Sequence, residues 1–89
     1  MQAIKSRSQV LMGEQGKRVE LHYTILAEEM AAGHFTCDSY GIRIEKADGE
    51  TACIRDITTS RARIGELFSL LVRNGVTPMQ LRDVVEDWL

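Results

Sequence analysis

The sequence predicts an α+β fold, in which an antiparallel meander of three or four strands carries two C-terminal helices packed on one face. Apolar and polar residues alternate through the first half of the chain, which is typical of half-buried strands. The last third has two runs of apolar residues at helical spacing, separated by a glycine. The chain has 89 residues, of which 23 are leucine, isoleucine, valine or phenylalanine, so it can form one small domain with a thin core.

Two strands follow directly from the alternation. Residues 18–28 place five apolar side chains on one face, and residues 35–46 repeat the pattern with three. These side chains are Val19, Leu21, Tyr23, Ile25 and Ala27, and then Tyr40, Ile42 and Ile44. Because antiparallel sheets often have one face against the core and one in water, this face is expected to meet the helices.

The N-terminal segment is polar and carries little apolar pattern. Residues 1–8 are expected to be a flexible N-terminus, so that the single domain spans residues 9–89. The short apolar run at residues 9–12 is a candidate fourth strand, and the glycines within residues 13–17 predict a turn after it.

The length of the next hairpin loop follows from the apolar side chains beside it. A three-residue loop with Gly49 in the left-handed conformation pairs Ile42 with Ile54 and Ile44 with Ala52, all on one face. A two-residue loop would place Ile54 on the opposite face, because a one-residue slip moves every side chain across the sheet. The pattern therefore favours the three-residue loop.

The strand after this hairpin is expected to bulge or end near Asp56. Ile57 does not lie on the face that holds Ile54 if the strand continues regularly. An extra residue in the strand would restore the alternation, which is what a β-bulge does.

Two helices complete the chain. Thr58, Thr59 and Ser60 are candidate N-caps for the first helix, and Gly75 predicts its left-handed end. Pro78 suits the first position of the second helix, where no backbone N–H is needed. Both helices have apolar side chains three and four residues apart: Ile64, Leu67, Phe68, Leu71 and Val72 in the first, and Leu81, Val84, Val85 and Trp88 in the second.

Four charges oppose the dipoles of these helices. Arg61 and Arg63 lie in the first turn of the first helix, and Glu86 and Asp87 lie in the last turn of the second. If the helices run back against each other, these charges could pair as a clasp between them. Alternatively, Arg55, Arg61 and Arg63 could form an anion site at the N-terminus of the first helix, where free N–H groups point outward.

Composition argues against several functional classes. The net charge of −2 with mixed signs gives no general attraction to nucleic acid or to an anionic membrane. We expect no membrane association, because no apolar run approaches the ~18 residues that span a bilayer. A signal-peptide pattern is also absent from the first residues, so a cytoplasmic location is expected.

The sequence predicts neither a metal site nor catalysis, and no cofactor is expected. Cys37 and Cys53, taken with His22 and His34, match no compact zinc-binding pattern, and reduced cysteines often pack as small apolar residues. The phosphate-binding, hydrolase and metalloprotease motifs are missing from the sequence. We therefore expect that the protein is not an enzyme.

Three segments resemble a known family. They are Ile54-Arg55-Asp56-Ile57, the Gly-Val-Thr-Pro of residues 75–78, and the ending Val-Val-Glu-Asp-Trp-Leu of residues 84–89. Together with the strand-rich first half, they resemble short bacterial proteins, mainly of Gram-positive anaerobes, that are classed as a domain of unknown function. The resemblance covers residues 23–89 and implies a cytoplasmic bacterial protein. It carries over no catalytic or binding residue.

The leading functional hypothesis is a non-catalytic protein-interaction module, which binds either itself or a host protein. Trp88, Leu89 and a free strand edge are the candidate partner surfaces, although core packing also accounts for Trp88. The alternative is nucleic-acid or anion binding through Arg55, Arg61 and Arg63. Tyr23 and Tyr40 do not favour nucleic acid, because they follow the core alternation and are not exposed for base stacking.

Overall fold

The chain forms a four-stranded antiparallel sheet followed by two C-terminal helices, which confirms the predicted α+β fold. These elements come from a computed structural model, which describes residues 1–13 and 16–89. The strands are β1 (Gln2–Met12), β2 (Arg18–Ala32), β3 (Phe35–Lys46) and β4 (Thr51–Thr58), and the sheet order is β1-β2-β3-β4. The helices are α1 (Arg61–Arg73) and α2 (Leu81–Trp88), and a 3₁₀ turn (Pro78–Gln80) precedes α2.

The first strand is longer than the sequence pattern suggests. Residues 2–8, which we expected to be a flexible N-terminus, form the first part of β1 and pair with β2 from Gln2 opposite Ala27. Residues 9–12 continue the same strand, so the candidate fourth strand is present. Strand pairing uses backbone groups, and an edge strand tolerates polar side chains, so low apolar content did not prevent it. The predicted turn includes Glu14 and Gln15, which lie outside the described residues.

The β3–β4 hairpin has the predicted three-residue loop. Ile42 pairs with Ile54 and Ile44 pairs with Ala52, as the apolar pattern requires. Gly49 has a φ of 103°, and its N–H donates to the Lys46 carbonyl at 2.9 Å. The loop geometry therefore places the apolar residues of both strands on the helix side of the sheet.

A bulge in β4 lies where Asp56 was expected to interrupt the strand. Tyr40 pairs with Thr58 and Ile42 with Ile54, so three residues of β4 oppose the single residue Gly41. Asp56 has a φ of 55° at this point. A Cβ at Gly41 would overlap the Ile54 carbonyl oxygen and lie 2.9 Å from the Cα of Arg55. The bulged backbone therefore requires glycine on the neighbouring strand.

The helices begin and end near the predicted residues, with one difference. Ser60 caps α1, because its hydroxyl accepts a hydrogen bond from the Arg63 N–H at 3.2 Å, and Gly75 follows the helix with a φ of 61°. The second helix was expected to start at Pro78, but that residue begins the 3₁₀ turn instead. The Gln80 side chain accepts from the Thr77 N–H at 3.1 Å and stabilises this turn.

The core lies between one face of the sheet and the two helices. Strands β2 and β3 form the sheet side of the core, and α1, α2 and the segment between them form its helix side. The buried members are Leu21, Tyr23, Ile25, Tyr40, Ile42, Ile44, Ile64, Leu67, Phe68, Leu71, Val72, Val76, Leu81 and Val85. The other face of the sheet, called here the open face, is the one that α1 and α2 do not cover.

Candidate binding surfaces

The three arginines of the predicted anion site have different surroundings. Arg55 lies on the open face, where its Nε is 3.2 Å from Glu28 Oε2 and its Nη2 is 2.5 Å from both carboxylate oxygens. The hydrogen bonds to Glu28 raise the pKa of Arg55 above its ordinary value. Arg63 lies over the Trp88 ring, with 4.4 Å between its Cζ and the ring centroid, while Arg61 is exposed. Two of the three guanidinium groups therefore already have partners within the chain.

The predicted clasp between the helices takes a different form. The ion pairs among the described residues do not join Arg61 or Arg63 to Glu86 or Asp87. The end of α2 does approach the start of α1, as expected, but the contact is the cation–π stacking of Arg63 on Trp88. Arg63 therefore contacts the Trp88 ring and not Glu86 or Asp87.

Trp88 and Leu89, the predicted partner surface, differ in exposure. Trp88 is half-buried and packs against the core cluster. Leu89 is 72% exposed at the end of α2. Core packing accounts for the tryptophan, whereas the leucine is an exposed apolar side chain.

A two-stranded extension of the sheet is exposed along most of its length. β1 starts opposite Ala27 and β4 ends opposite Tyr40, so residues 28–38, called here the arm, are paired only as the β2–β3 hairpin. The arm contributes to a molecule that is 55 Å long and only 23 Å by 17 Å across. Its turn is formed by Gly33, with a φ of 64°, and the residue after it.

The tip of the arm has an apolar patch on the open face. Met30 pairs with Cys37, and strand alternation places Phe35 on the same face as both of them. Phe35 is 77% exposed and Met30 is 42% exposed. An isolated hairpin is only marginally stable in water, so these side chains are not held there by a core of their own.

Nearer the helices, the open face is more closely packed than an uncovered sheet face usually is. Thr24, Leu26 and Ser39 are buried there, although they lie on the face opposite α1 and α2. The Thr24 hydroxyl is buried and has no hydrogen-bond partner among the described residues. At one side of this face, Ser8 Oγ lies 2.6 Å from His22 Nδ1 beside a groove of about 250 Å³.

A second and larger groove lies on the helix side, between β1 and α1. Its volume is about 380 Å³, and its lining residues are Lys5, Arg7, Gln9, Phe68, Ser69, Val72 and Arg73. Lys5 lies over the Phe68 ring, with 5.5 Å between Nζ and the ring centroid. Sequence reasoning missed this groove because residues 1–8 were treated as flexible, although the alternating Lys5, Arg7 and Gln9 indicate a strand with one face of long polar side chains.

The residues considered for metal binding and catalysis do not form a cluster in the described part of the chain. Cys37 and Cys53 are free and exposed, on β3 and β4 respectively. Residues 1–13 and 16–89 contain no group of three or more His, Cys, Asp or Glu side chains placed to hold a metal ion. Within the same residues, neither helix has the length and apolar composition that crossing a bilayer requires.

Comparison with known proteins places the chain at the level of a family. Neither curated proteins nor solved structures yield a match to it. A family model does match, and the match extends over residues 1–89. The agreement over the whole domain, from β1 to α2, shows that the chain belongs to a family of unknown function, DUF6514.

Proposed function

We propose that this protein is a non-catalytic protein-interaction module and that the arm is its principal binding surface. The observation that carries the proposal is the exposure of Phe35 and Met30 on a hairpin that extends beyond the rest of the sheet. Large exposed apolar side chains that lie next to one another are more typical of a binding surface than of a solvated loop.

The arm offers two kinds of contact to a partner protein. Met30 and Phe35 provide apolar area, and methionine and aromatic residues are enriched in interface cores. Both outer edges of the hairpin also have backbone groups without a neighbouring strand, so a partner strand can pair with them. Binding would bury the apolar patch and order a hairpin that is marginally stable alone.

The partner is either a second copy of the chain or a different protein of the host. A second copy would bring the same apolar patch to the interface, as two-fold symmetric dimers do. A host protein would need an apolar groove or a free strand edge of its own. These two cases differ in whether the purified protein associates without any other component.

The alternative function is nucleic-acid or anion binding through Arg55, Arg61 and Arg63. It has less support than the interaction module, because Glu28 holds Arg55 and Trp88 stacks against Arg63. A gel-shift titration of RNA and DNA at two salt concentrations tests it, since phosphate contacts give a salt-dependent affinity.

Photo-crosslinking combined with sedimentation velocity tests the leading proposal. A photoreactive residue at position 35 is expected to crosslink to a second copy or to one defined host protein. The matched control has the photoreactive residue at Met79, which is 81% exposed and lies outside the arm. If the partner is a second copy, Phe35→Ser is expected to lose in sedimentation the association that Met79→Ser retains. Equal crosslinking and equal association at the two positions would contradict the assignment of the arm.

A further inference from the structure

We propose that the groove between β1 and α1 binds a small polyanion, meaning a ligand that carries a phosphate group or several carboxylates. This site is separate from the arm, and its residues are not those of the anion site predicted from the sequence. The proposal depends on the charges that line the groove, on the position of those charges in the β1 register, and on a hydrogen-bonded wall beside them.

The charges in the groove are unbalanced. Lys5, Arg7 and Arg73 all line it, and no carboxylate is among its lining residues. The ion pairs among the described residues involve Arg43, Lys46 and Arg55, but none of these three cations. In a chain whose net charge is −2, this is a local excess of positive charge that an anion would neutralise.

The register places the β1 cations toward the helices. Arg7 pairs with Tyr23 and Lys5 pairs with Ile25, and both partners belong to the buried core. Arg7 and Lys5 therefore project from the core side of the sheet, at positions where apolar residues would normally meet a covering helix. Both side chains are exposed, so solvent meets these like charges in the free protein and an anion can reach them.

Arg73 supports an anion site less strongly than the two β1 cations do. It lies in the last turn of α1, where the helix dipole favours a positive charge whether or not a ligand binds. The dipole does not explain Lys5 and Arg7, because a strand has no comparable dipole. Lys5 has the Phe68 ring as a partner within the chain, so Arg7 is the cation that most favours a ligand. The contribution of Arg73 is to place a third cation on the opposite wall of the groove.

A hydrogen-bonded network holds the two walls together. Gln9 Nε2 donates to the Tyr23 hydroxyl at 3.1 Å and to the Val72 carbonyl at 2.7 Å, which joins β1 to α1. The Tyr23 hydroxyl in turn donates to the Val76 carbonyl at 3.0 Å. Because both bonds use the amide nitrogen, Gln9 has only its Oε1 left, which accepts a hydrogen bond from a ligand hydroxyl or amine. The site is therefore partly organised before a ligand arrives.

The size of the groove selects a small ligand. Its volume of about 380 Å³ is near the lower end of the range of about 300–1,000 Å³ that is usual for small-molecule sites. Phe68 and Val72 give it an apolar wall beside the cations, so a compact organic group can accompany the anionic one. Arginine and lysine together bind phosphate or carboxylate oxygens through charge-assisted hydrogen bonds.

Titration of the full chain with pyrophosphate and with citrate tests this proposal. Binding is followed by calorimetry and by the backbone amide shifts of the protein. We expect saturable binding of at least one of the two anions, with shifts concentrated in residues 5–9 and 68–73. Tighter binding of pyrophosphate would indicate a phosphorylated natural ligand, and tighter binding of citrate a polycarboxylate. The absence of saturation up to roughly 10 mM of both would overturn the proposal.

Variants separate the groove from general electrostatic attraction. Arg7→Gln is expected to weaken binding by about tenfold or more, because it removes a charge-assisted hydrogen bond. Arg82→Gln removes the same charge from an exposed position on α2, outside the groove, and is expected to leave the affinity nearly unchanged. Equal weakening in the two variants would contradict the assignment, as would shifts spread over the whole surface. The shift map of the unaltered protein decides the question if Arg7→Gln fails to fold.

Discussion

The β2–β3 hairpin consists of two halves with the same backbone pairing and different surroundings. In the half under the helices, residues such as Tyr23 and Ile42 are completely buried and a neighbouring strand lies on each side. In the arm, Phe35 and Met30 belong to the same ladder, but helices and neighbouring strands are absent from residues 28–38.

The two halves therefore differ in packing and not in the strand ladder that joins β2 to β3. Two strands alone are marginally stable, whereas additional strands and a packed helix layer make a sheet stable. The half under the helices is therefore expected to provide most of the stability of the domain, and the arm little of it. Residues of the same type should then have very different effects in the two halves.

The largest expected effect separates the two phenylalanines of the chain. Phe68→Ala, in the helix that covers one half of the hairpin, should lower the free energy of unfolding by about 3–5 kcal/mol, because it leaves a cavity under α1. Phe35→Ala, in the arm, should change it by no more than about 0.5 kcal/mol, because the side chain is already in solvent. Urea unfolding followed by circular dichroism measures both. A loss of more than about 2 kcal/mol in Phe35→Ala would show that the arm is part of the cooperative core.

The next effect concerns the bulge where β4 leaves β3, at the base of the arm. Gly41→Ala would place a Cβ against the Ile54 carbonyl oxygen, so we expect a loss of about 1–3 kcal/mol. The control is Gly65→Ala within α1, where no atom lies close to the added Cβ and helix propensity predicts a gain of about 0.5–1 kcal/mol. Thermal unfolding of the two variants should therefore shift in opposite directions. A Gly41→Ala protein as stable as the original would mean that the β4 bulge adapts freely.

The sequence predicted strand register correctly where the apolar alternation and the turn residues favoured the same pairing. The apolar positions Ile42 and Ile54 determined the β3–β4 register, and Ile57 indicated the bulge at Asp56. In these places only one arrangement put the apolar side chains on a single face, so local pattern and tertiary packing favoured the same structure.

The candidate surfaces were harder to predict, because they depend on where neighbouring elements stop. The arm exists because β1 starts opposite Ala27 and β4 ends opposite Tyr40, and neither boundary has a strong local signal. The basic groove depends on strand pairing of residues 2–8, which are mostly polar. The position of Arg63 over Trp88 depends on how α2 lies against α1. The signs of the charges alone favoured the acidic pair at the end of α2 as its partner, and this prediction was wrong.

A smaller effect concerns the hydrogen bonds in the half of the hairpin under the helices. Tyr23→Phe removes the donor to Val76 and the acceptor for Gln9, and should cost about 1 kcal/mol at neutral pH. Urea unfolding of the variant and the original protein measures this cost. Ser39→Ala in the same sheet is a control for loss of a hydroxyl from a buried position outside this network.

The same tyrosine makes the stability depend on pH in the alkaline range. Burial raises the pKa of Tyr23 above its ordinary value of 10.0, so the folded protein favours the neutral phenol. This contribution is fully present below pH 10 and is lost as the pH rises from there through the folded-state pKa, because the unfolded chain releases the proton first. The stability advantage over Tyr23→Phe should therefore decrease above pH 10. A constant difference between the two proteins would contradict the buried, neutral state of the phenol.

The smallest effect concerns the contact between the start of α1 and the end of α2. Arg61→Met and Arg63→Met each remove a cation from the first turn of α1, which relieves about 0.3–1 kcal/mol of unfavourable interaction with the helix dipole. Only Arg63→Met also loses the stacking on Trp88, which is worth about 0.5–1 kcal/mol at an exposed site. Arg61→Met should therefore stabilise the protein, and Arg63→Met should leave its stability nearly unchanged. Equal stabilisation by the two substitutions would show that the contact between Arg63 and Trp88 adds nothing to the stability. Apolar packing alone would then hold the end of α2 against the rest of the domain.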